Sequence, residues 1–315
     1  MDLSVVIPLY NEEESLRPLN KILKNVLGKL NVKYEILYID DGSRDESVKI
    51  LKEISSNDKH VKVIELKRNF GKSIALAVGF DKLVGDLVIT MDADLQDDPE
   101  EIPKLIEQIE KNYDLVSGWK YKRKDPLVKI LSSKIFNFTV SLLSGLKIHD
   151  FNCGFKIYRK EVVKSIELYG ELHRFLPFLA YQQGFKVGEI KVKHNVRQFG
   201  ESKYGRSGLK RLSNYILDPI NVVFLTKYQR KPAHFFGNIG LISFAIGLLI
   251  SIYLTVIWFM GQGIGNRPLL FLGVLLMIIG IQLVSMGFLG ELIVRENISK
   301  SKDKYVKKHD KELVE

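Results

Sequence analysis

Asp86-Leu-Val-Ile-Thr-Met-Asp-Ala-Asp-Leu-Gln-Asp-Asp-Pro99 is the stretch that decides the fold of this chain. Its apolar run, Leu87 to Met91, passes at once into Asp92, Asp94 and Gln96. The run reads as a buried strand, and Pro99 followed by Glu100 and Glu101 reads as a helix start. Carboxylates at the carboxyl end of a strand stand where open α/β sheets bind their ligands. Hard oxygen groups at alternate positions suit Mg²⁺ or Mn²⁺, metals usually shared with a substrate's phosphates. A solvated acidic loop is the plainer reading of the same residues. A calcium loop of the EF-hand type, counted from Asp92, fails: its sixth position is Asp97 instead of Gly, and its twelfth is Pro103 instead of Glu.

The chain on either side repeats this strand-to-helix alternation. Ser4 to Ile7 is a strand stopped by Pro8, then Leu9-Tyr10-Asn11-Glu12 leads into a helix over 13–30. Tyr34 to Ile39 is a strand ended by Asp40-Asp41-Gly42-Ser43. Ser43, with Glu46 three residues on, predicts a capping box and a helix to about Ile54. Val61 to Leu66, an Ala-rich helix over 73–83, the strand 87–91, a helix over 99–111 and the strand 114–117 follow. Strands and helices of these lengths imply βαβ units and a mainly parallel sheet. Its carboxyl edge would gather Pro8, Tyr10, Glu12, Asp40, Asp41, Asp92 and Asp94 into one crevice. A hairpin turn is the competing reading of Asp40-Asp41-Gly42-Ser43, weakened because a helical pattern follows it. No Walker sequence occurs, and Gly261-Gln-Gly-Ile-Gly265 follows no strand, so P-loop and dinucleotide enzymes are poor candidates.

The formal net charge is +10, with Lys and Arg crowded into 120–134, 191–211, 227–231 and the tail after Arg295. A single cysteine, Cys153, excludes an intramolecular disulfide framework and a Cys-rich zinc site. Residues 237–260 and 269–290 contain no Lys, Arg, Asp or Glu. At about 1.5 Å per residue each is long enough to cross a hydrocarbon core of about 30 Å. Buried core helices are the competing reading. Lys227, Arg230 and Lys231 precede the first span, and Arg295, Lys300, Lys302 and Lys304 follow the second. The positive-inside rule then puts both termini in the cytoplasm, and the amino terminus opens into a strand with no signal peptide. Leu127 to Leu143 and Ser207 to Lys231 are amphipathic, and a basic helix just before a span suits the headgroup layer as well as ordinary packing.

Five motifs in order carry a resemblance: Pro8-x-Tyr-Asn-Glu12, Ile39-Asp-Asp-Gly-Ser43, Asn69-x-Gly-Lys72, Met91-Asp-Ala-Asp-Leu-Gln96 and Arg197-x-x-Gly-x-Ser-Lys203. Together with the membrane tail they resemble, over the whole chain, the polyprenyl-phosphate glycosyltransferases of glycosyltransferase family two. That resemblance implies a GT-A type, Rossmann-like nucleotide-sugar-binding domain over 1–206, an amphipathic juxtamembrane helix over 207–232, two transmembrane helices within 233–294 and a basic cytoplasmic tail over 295–315. It implies inverting, metal-dependent transfer of one sugar from a nucleotide-sugar to a polyprenyl phosphate at the cytoplasmic membrane face. A UDP-glucose type donor is favoured over GDP-mannose, and undecaprenyl and dolichyl acceptors both stay open.

By the same resemblance Pro8, Tyr10, Glu12, Asp40, Asp41 and Asp92 hold the nucleotide, Asp94 and Gln96 ligate Mg²⁺ or Mn²⁺, and Asp150 is the catalytic base or an orienting residue. Lys120, Arg123, Lys134, Arg197 and Lys203 are the phosphate contacts. The family often has Arg where Lys120 stands, and Lys makes a point contact where Arg makes a bidentate one. A processive polysaccharide synthase is the rival enzyme, but its Gln-x-x-Arg-Trp element is missing: Trp occurs only at Trp119 and Trp258. A membrane-anchored nucleotide-sugar binding protein is the non-catalytic rival. Nucleic acid is a poor partner, because the basic clusters coincide with membrane-adjacent segments. A homo-oligomer stays open, since Gly240, Gly247, Gly273, Gly280 and Gly287 allow close helix packing.

Overall fold

The computed structural model describes residues 2–121, 127–196, 232–265 and 267–299. Arg123, Arg197 and Lys203, residues 207–231 of the expected juxtamembrane helix and residues 300–315 of the tail lie outside the described residues. The chain divides into two compact units, 1–223 and 224–315.

The first unit is a sheet of seven strands: β1 (Leu3–Leu9), β2 (Tyr34–Asp40), β3 (Val61–Glu65), β4 (Leu87–Thr90), β5 (Leu115–Lys120), β6 (Lys156–Arg159) and β7 (Val187–Val192), in the order β3-β2-β1-β4-β6-β5-β7. β1 to β4 are mutually parallel, β6 runs antiparallel to both β4 and β5, and β7 is parallel to β5. Every residue of β1 and β2 is buried, as expected for parallel strands covered on both faces. The covering helices are α1 (Glu13–Gly28), α2 (Ser47–Asn57), α3 (Lys72–Lys82), α4 (Ile102–Glu110), α5 (Leu127–Ser144), α6 (Lys160–Ser165) and α7 (Leu176–Gln182). Helix α1 buries Leu16, Leu19, Leu23, Val26 and Leu27, the spacing of a single helical face.

Pro8 explains where the sheet opens. Leu9 accepts from Asp41 N–H on the β2 side, whereas Val6 accepts from Met91 N–H on the β4 side. Even-numbered residues of β1 therefore face β4, which ends at Thr90, level with Val6. Proline at position 8 forfeits no ladder hydrogen bond, because its neighbour has already turned away. β4 pairs with β1 no further than Thr90, so the chain from Met91 on is free to carry Asp92 and Asp94 at the carboxyl edge of the sheet.

Two boundaries differ from the sequence reading. β1 is not stopped by Pro8 but runs on to Leu9, because Pro8 and Leu9 still pair with β2. The second helix starts late. Helix α2 begins at Ser47, not at Ser43. Ser43 is drawn into the loop instead: its N–H donates to Asp40 Oδ2 at 3.0 Å, and its hydroxyl accepts Asn11 N–H at 2.8 Å. Local side-chain turns of this kind compete with helix initiation.

The second unit is a pair of helices, α8 (Pro232–Phe259) and α9 (Pro268–Ser299). Both are long and apolar enough to cross a membrane. Their backbones meet at glycines. A Cβ on Gly240 would stand 2.6 Å from the Gly280 carbonyl oxygen, and one on Gly247 2.6 Å from the Gly273 carbonyl oxygen. Ser243 Oγ donates to the Leu276 carbonyl at 2.9 Å across the same seam. These glycines close the hairpin on itself, which is how the small residues noted in the sequence are used here.

Candidate active site

The loops after β1, β2, β3 and β4 build the crevice at the carboxyl edge of the sheet, and hydrogen bonds to backbone groups stitch them together. In the β2–α2 loop, Asp40 is buried and its Oδ2 accepts Gly42 N–H at 3.1 Å as well as Ser43 N–H. Its Oδ1 is buried with no hydrogen-bond partner among the described residues. Asp41 accepts Phe70 N–H at 2.7 Å and Gly71 N–H at 2.9 Å, which fixes the β3–α3 loop. Burial raises the Asp41 carboxyl, those two N–H bonds oppose the rise, and the neighbouring Asp40 charge adds to it. Tyr10 and Glu12 are half-buried on the β1–α1 loop, where Glu12 N–H donates to Ser47 Oγ at 3.0 Å.

The Asp92 segment alternates. Asp92, Asp94 and Gln96 are half-buried, while Ala93 and Leu95 are buried. Leu95 holds φ at 60°, a left-handed conformation that costs a non-glycine residue about 1 kcal/mol or more. Such backbone strain collects where side-chain direction matters. Asp94 Oδ1 accepts Gln96 N–H at 3.2 Å, and Asp98 Oδ1 accepts Glu100 N–H at 3.1 Å to open the next helical turn. A short antiparallel bridge joins Asp97 to His194, and Asn195 N–H donates to the Gln96 carbonyl at 2.9 Å. The chain leading to Arg197 is thus pinned to the acidic loop, although Arg197 itself lies outside the described residues.

Two lysines pair with the carboxylates and a third lies buried nearby; Lys72 and Lys156 were absent from the expected site. Lys72, at the start of α3, pairs with Asp92. Lys120 is 13% exposed and pairs at 3.1 Å with Asp97 Oδ1, whose side chain is 1% exposed. Lys156 is buried on β6. Burial alone would raise the Asp92 carboxyl, but Lys72 and Lys120 outweigh it and hold it at about 2. Asp94 goes the other way: burial, then the charges of Asp92 and Asp97, push it up to about 6. Lys120 is held above its ordinary value, with burial opposing and Asp97, Cys153, Asp92 and Asp150 prevailing. Asp150 is buried in the loop before β6, where its carbonyl accepts Ser117 Oγ at 3.2 Å. Lys134 is exposed on α5.

The opposite end of the sheet makes a useful contrast. Buried Glu35 takes Ser4 Oγ at 2.6 Å, Lys62 Nζ at 2.7 Å and Val84 N–H at 2.8 Å, so its charge is fully answered. Asp94 has a raised carboxyl instead, the signature of a site that gains from a cation. Among the described residues no three His, Cys, Asp or Glu side chains gather into a metal-binding group. One carboxylate and one amide oxygen fit Mg²⁺ or Mn²⁺, which take few protein ligands and complete their shell with water and substrate phosphate.

A mixed sheet with this acidic carboxyl edge is a GT-A type glycosyltransferase domain. The glucosyl-3-phosphoglycerate synthase of Mycobacterium tuberculosis in complex with Mn²⁺ and UDP-glucose has a TM-score of 0.53 at 17% identity, covering 70% of this chain and 78% of that one. The mannosyl-3-phosphoglycerate synthase of Rubrobacter xylanophilus has a TM-score of 0.56 at 16% identity, covering 71% and 74%. The glycosyl transferase family 2 profile matches residues 4–167. A dodecaprenyl-phosphate galacturonate synthase from Rhizobium johnstonii is 38% identical over 303 residues, 94% of this chain and 88% of that protein. An undecaprenyl-phosphate 4-deoxy-4-formamido-L-arabinose transferase from Klebsiella pneumoniae is 37% identical over 294 residues, covering 93% and 88%. The chain belongs to glycosyl transferase family 2 and is a glycosyltransferase.

Proposed function

We propose that the protein transfers a single sugar from a nucleotide-sugar to a polyprenyl phosphate, with inversion, at the cytoplasmic face of a membrane. The observation that carries this reading is the Asp92–Gln96 loop, where burial and the neighbouring carboxylates raise the Asp94 carboxyl, in a chain with two long apolar helices. The full-length relatives named for polyprenyl-phosphate sugar transfer support it.

In this reading the nucleoside lies over Pro8, Tyr10 and Glu12, with Asp40 Oδ1 and Asp41 accepting from base N–H or ribose hydroxyls and Asp92 close by. Asp94 and Gln96 would hold a divalent metal, which when bound neutralises charge developing on the nucleoside diphosphate. Lys120 pairs with Asp97, helps to keep Asp92 ionised and holds their loop in place. Arg123, Arg197 and Lys203, with Lys134 as a further cation, are proposed to meet the diphosphate and the acceptor phosphate. The acceptor phosphate is already largely anionic at pH 7, its second pKa being about 6, so it needs positioning more than deprotonation.

Incubating the purified protein with polyprenyl phosphate and radiolabelled UDP- or GDP-sugars, with Mn²⁺, Mg²⁺ or EDTA, tests the reaction. Metal-dependent label in the lipid extract is expected from one donor; nucleotide binding without any lipid labelling would replace this reading with a binding protein. Asp150→Asn separates two roles. A base at this position predicts a loss of about a hundredfold or more, the usual worth of proton transfer. Retention of a tenth of the activity would instead make Asp150 a positioning residue for Lys120.

A further inference from the structure

The chain that leaves β7 is strapped to the acidic loop. His194 pairs with Asp97 as an antiparallel bridge, and Asn195 N–H donates to the Gln96 carbonyl at 2.9 Å. Lys193 Nζ donates to Asp98 Oδ2 at 2.9 Å, and Asn195 Nδ2 reaches the same oxygen at 3.4 Å. The other oxygen of Asp98 accepts Glu100 N–H, so one carboxylate joins the strap to the turn that opens α4. The Asp98 side chain is 10% exposed, whereas that of Lys193 lies largely in solvent. An ion pair with one partner in solvent contributes little to stability by itself. Its position in the loop gives it a different use.

That use follows from Leu95. Its left-handed φ of 60° falls between Asp94 and Gln96, the two residues assigned above to the metal. Gln96 is gripped from both sides: its N–H donates to Asp94 Oδ1, and its carbonyl accepts Asn195 N–H. A residue in a sparsely populated conformation persists only where its surroundings over-determine it. Lys120 anchors the loop at Asp97, and the strap anchors it at Gln96 and Asp98. Without the strap, Leu95 is free to return to negative φ, and that rotation turns Gln96 away from Asp94.

We propose that Lys193, Asn195 and Asp98 are positioning residues for the divalent metal, holding Gln96 beside Asp94 so that both side chains present oxygen to one ion. The inference rests on the metal assignment within the proposed function, and it is independent of which sugar or acceptor is used. Partners that orient a metal ligand are worth about tenfold to a hundredfold in metal affinity. These three residues act through Gln96 and not on the reacting atoms. Their loss therefore raises the metal concentration that is needed and leaves the rate at saturating metal unchanged.

The test reads Mn²⁺ binding to the full-length protein in lipid nanodiscs, with saturating UDP or GDP, from the electron paramagnetic resonance of free Mn²⁺. Lys193→Met/Asn195→Ala removes both side-chain donors and leaves Asp98 to cap Glu100 N–H. Its Mn²⁺ dissociation constant should rise about tenfold, the lower end for a lost orienting partner. Transfer at saturating Mn²⁺ should match the wild type. Asp98→Ser keeps a capping oxygen but offers Lys193 no charge, and it should weaken Mn²⁺ in the same way. Lys193→Arg should bind Mn²⁺ as the wild type does, because a guanidinium makes the same charge-assisted bond. Unchanged Mn²⁺ affinity in the folded variants, whatever their melting temperatures, overturns the proposal, as does a transfer rate that stays low at saturating Mn²⁺. If the double variant does not fold, Lys193→Met alone alters one exposed side chain and decides by the same shift. A wild type that binds no Mn²⁺ with either nucleotide removes the ligand assignment and the proposal together. The binding measurement needs no lipid acceptor, so missing lipid label counts against the transfer reading alone.

Discussion

Asp94→Asn is expected to lower transfer about a thousandfold while raising the melting temperature of the metal-free protein. The activity loss is the upper range for removing one preorganised electrostatic contact to a developing charge. The stability gain follows from the raised Asp94 carboxyl, pushed to about 6 by burial and by Asp92 and Asp97. In the unfolded chain the same group titrates at about 3.9. Below that value both states are protonated, and the contribution to stability is fully present. Between it and about 6 the folded state keeps a proton that the unfolded state has released, so stability falls as pH rises. Above about 6 the folded protein carries the full penalty of a buried charge beside two other carboxylates. Asparagine removes that penalty, so variant and wild type should melt alike near pH 4 and diverge by a few degrees at pH 8. Mn²⁺ should raise the melting temperature of the wild type and leave the variant unmoved. Equal melting at pH 8 without metal, or equal stabilisation by metal, would show that the Asp94 charge does not oppose folding or hold the metal. The trade is the usual one of stability for function at a binding centre.

Lys120→Met is expected to destabilise the sheet unit by about 3–5 kcal/mol, the range for removing one partner of a buried ion pair. The pair is 3.1 Å long, and its carboxylate is almost fully enclosed. Asp97 has nowhere else to put its charge: its Oδ2 already accepts Asp92 N–H at 3.3 Å. Lys120 also helps to hold Asp92 near 2, so its loss disturbs the nucleotide side of the crevice as well. The double variant Lys120→Met/Asp97→Asn removes both charges and should recover most of the stability, because residues in contact are not additive. Transfer activity should not recover with it, since Asp92 still lacks one of its two ammonium neighbours. Chemical denaturation of the four proteins, followed by activity on the folded ones, reads both quantities. Additive destabilisation in the double variant would mean that the two side chains act separately.

The parts of the fold that were legible in the sequence are those set by apolar runs. β1, β2 and β4 were found to within a residue or two because each is an apolar, buried run; β2 and β4 stop close to Asp41-Gly42 and Asp92, whereas β1 runs through Pro8 to Leu9. The α8–α9 pair was equally plain from its missing charges. Asp92, Asp94 and Gln96 were visible because their polarity interrupts a strand at its carboxyl end. Lys156, His173 and Asp97 were not singled out, since their role depends on long-range packing. His173 is held beside the site by hydrogen bonds with Ser73, a hundred residues away along the chain. One signal was available. Lys156 interrupts the stretch Phe155-Lys156-Ile157-Tyr158, whose three other members are apolar and buried. A charge there has to be answered by something. The start of α2 was misplaced because Ser43 has the composition of a cap but spends its hydroxyl on Asn11.

The glycine seam of the helical hairpin divides its sequence into two classes with different freedom to drift. At Gly240 and Gly247 a single methyl group would meet the partner's backbone oxygen at 2.6 Å, so those positions are closed to any larger residue unless the helices part. On the outside, Leu241, Ile242, Leu249, Phe271 and Phe288 are more than half exposed and touch little of the protein. Their only requirement is compatibility with lipid, which Leu, Ile, Val and Phe meet alike. Substitutions can therefore accumulate on the outer faces, adjusting the hairpin to bilayers of different thickness, while the inner line stays fixed. Mutational tolerance along these two helices should follow a helical period, and its minima should trace the line along which the two backbones touch.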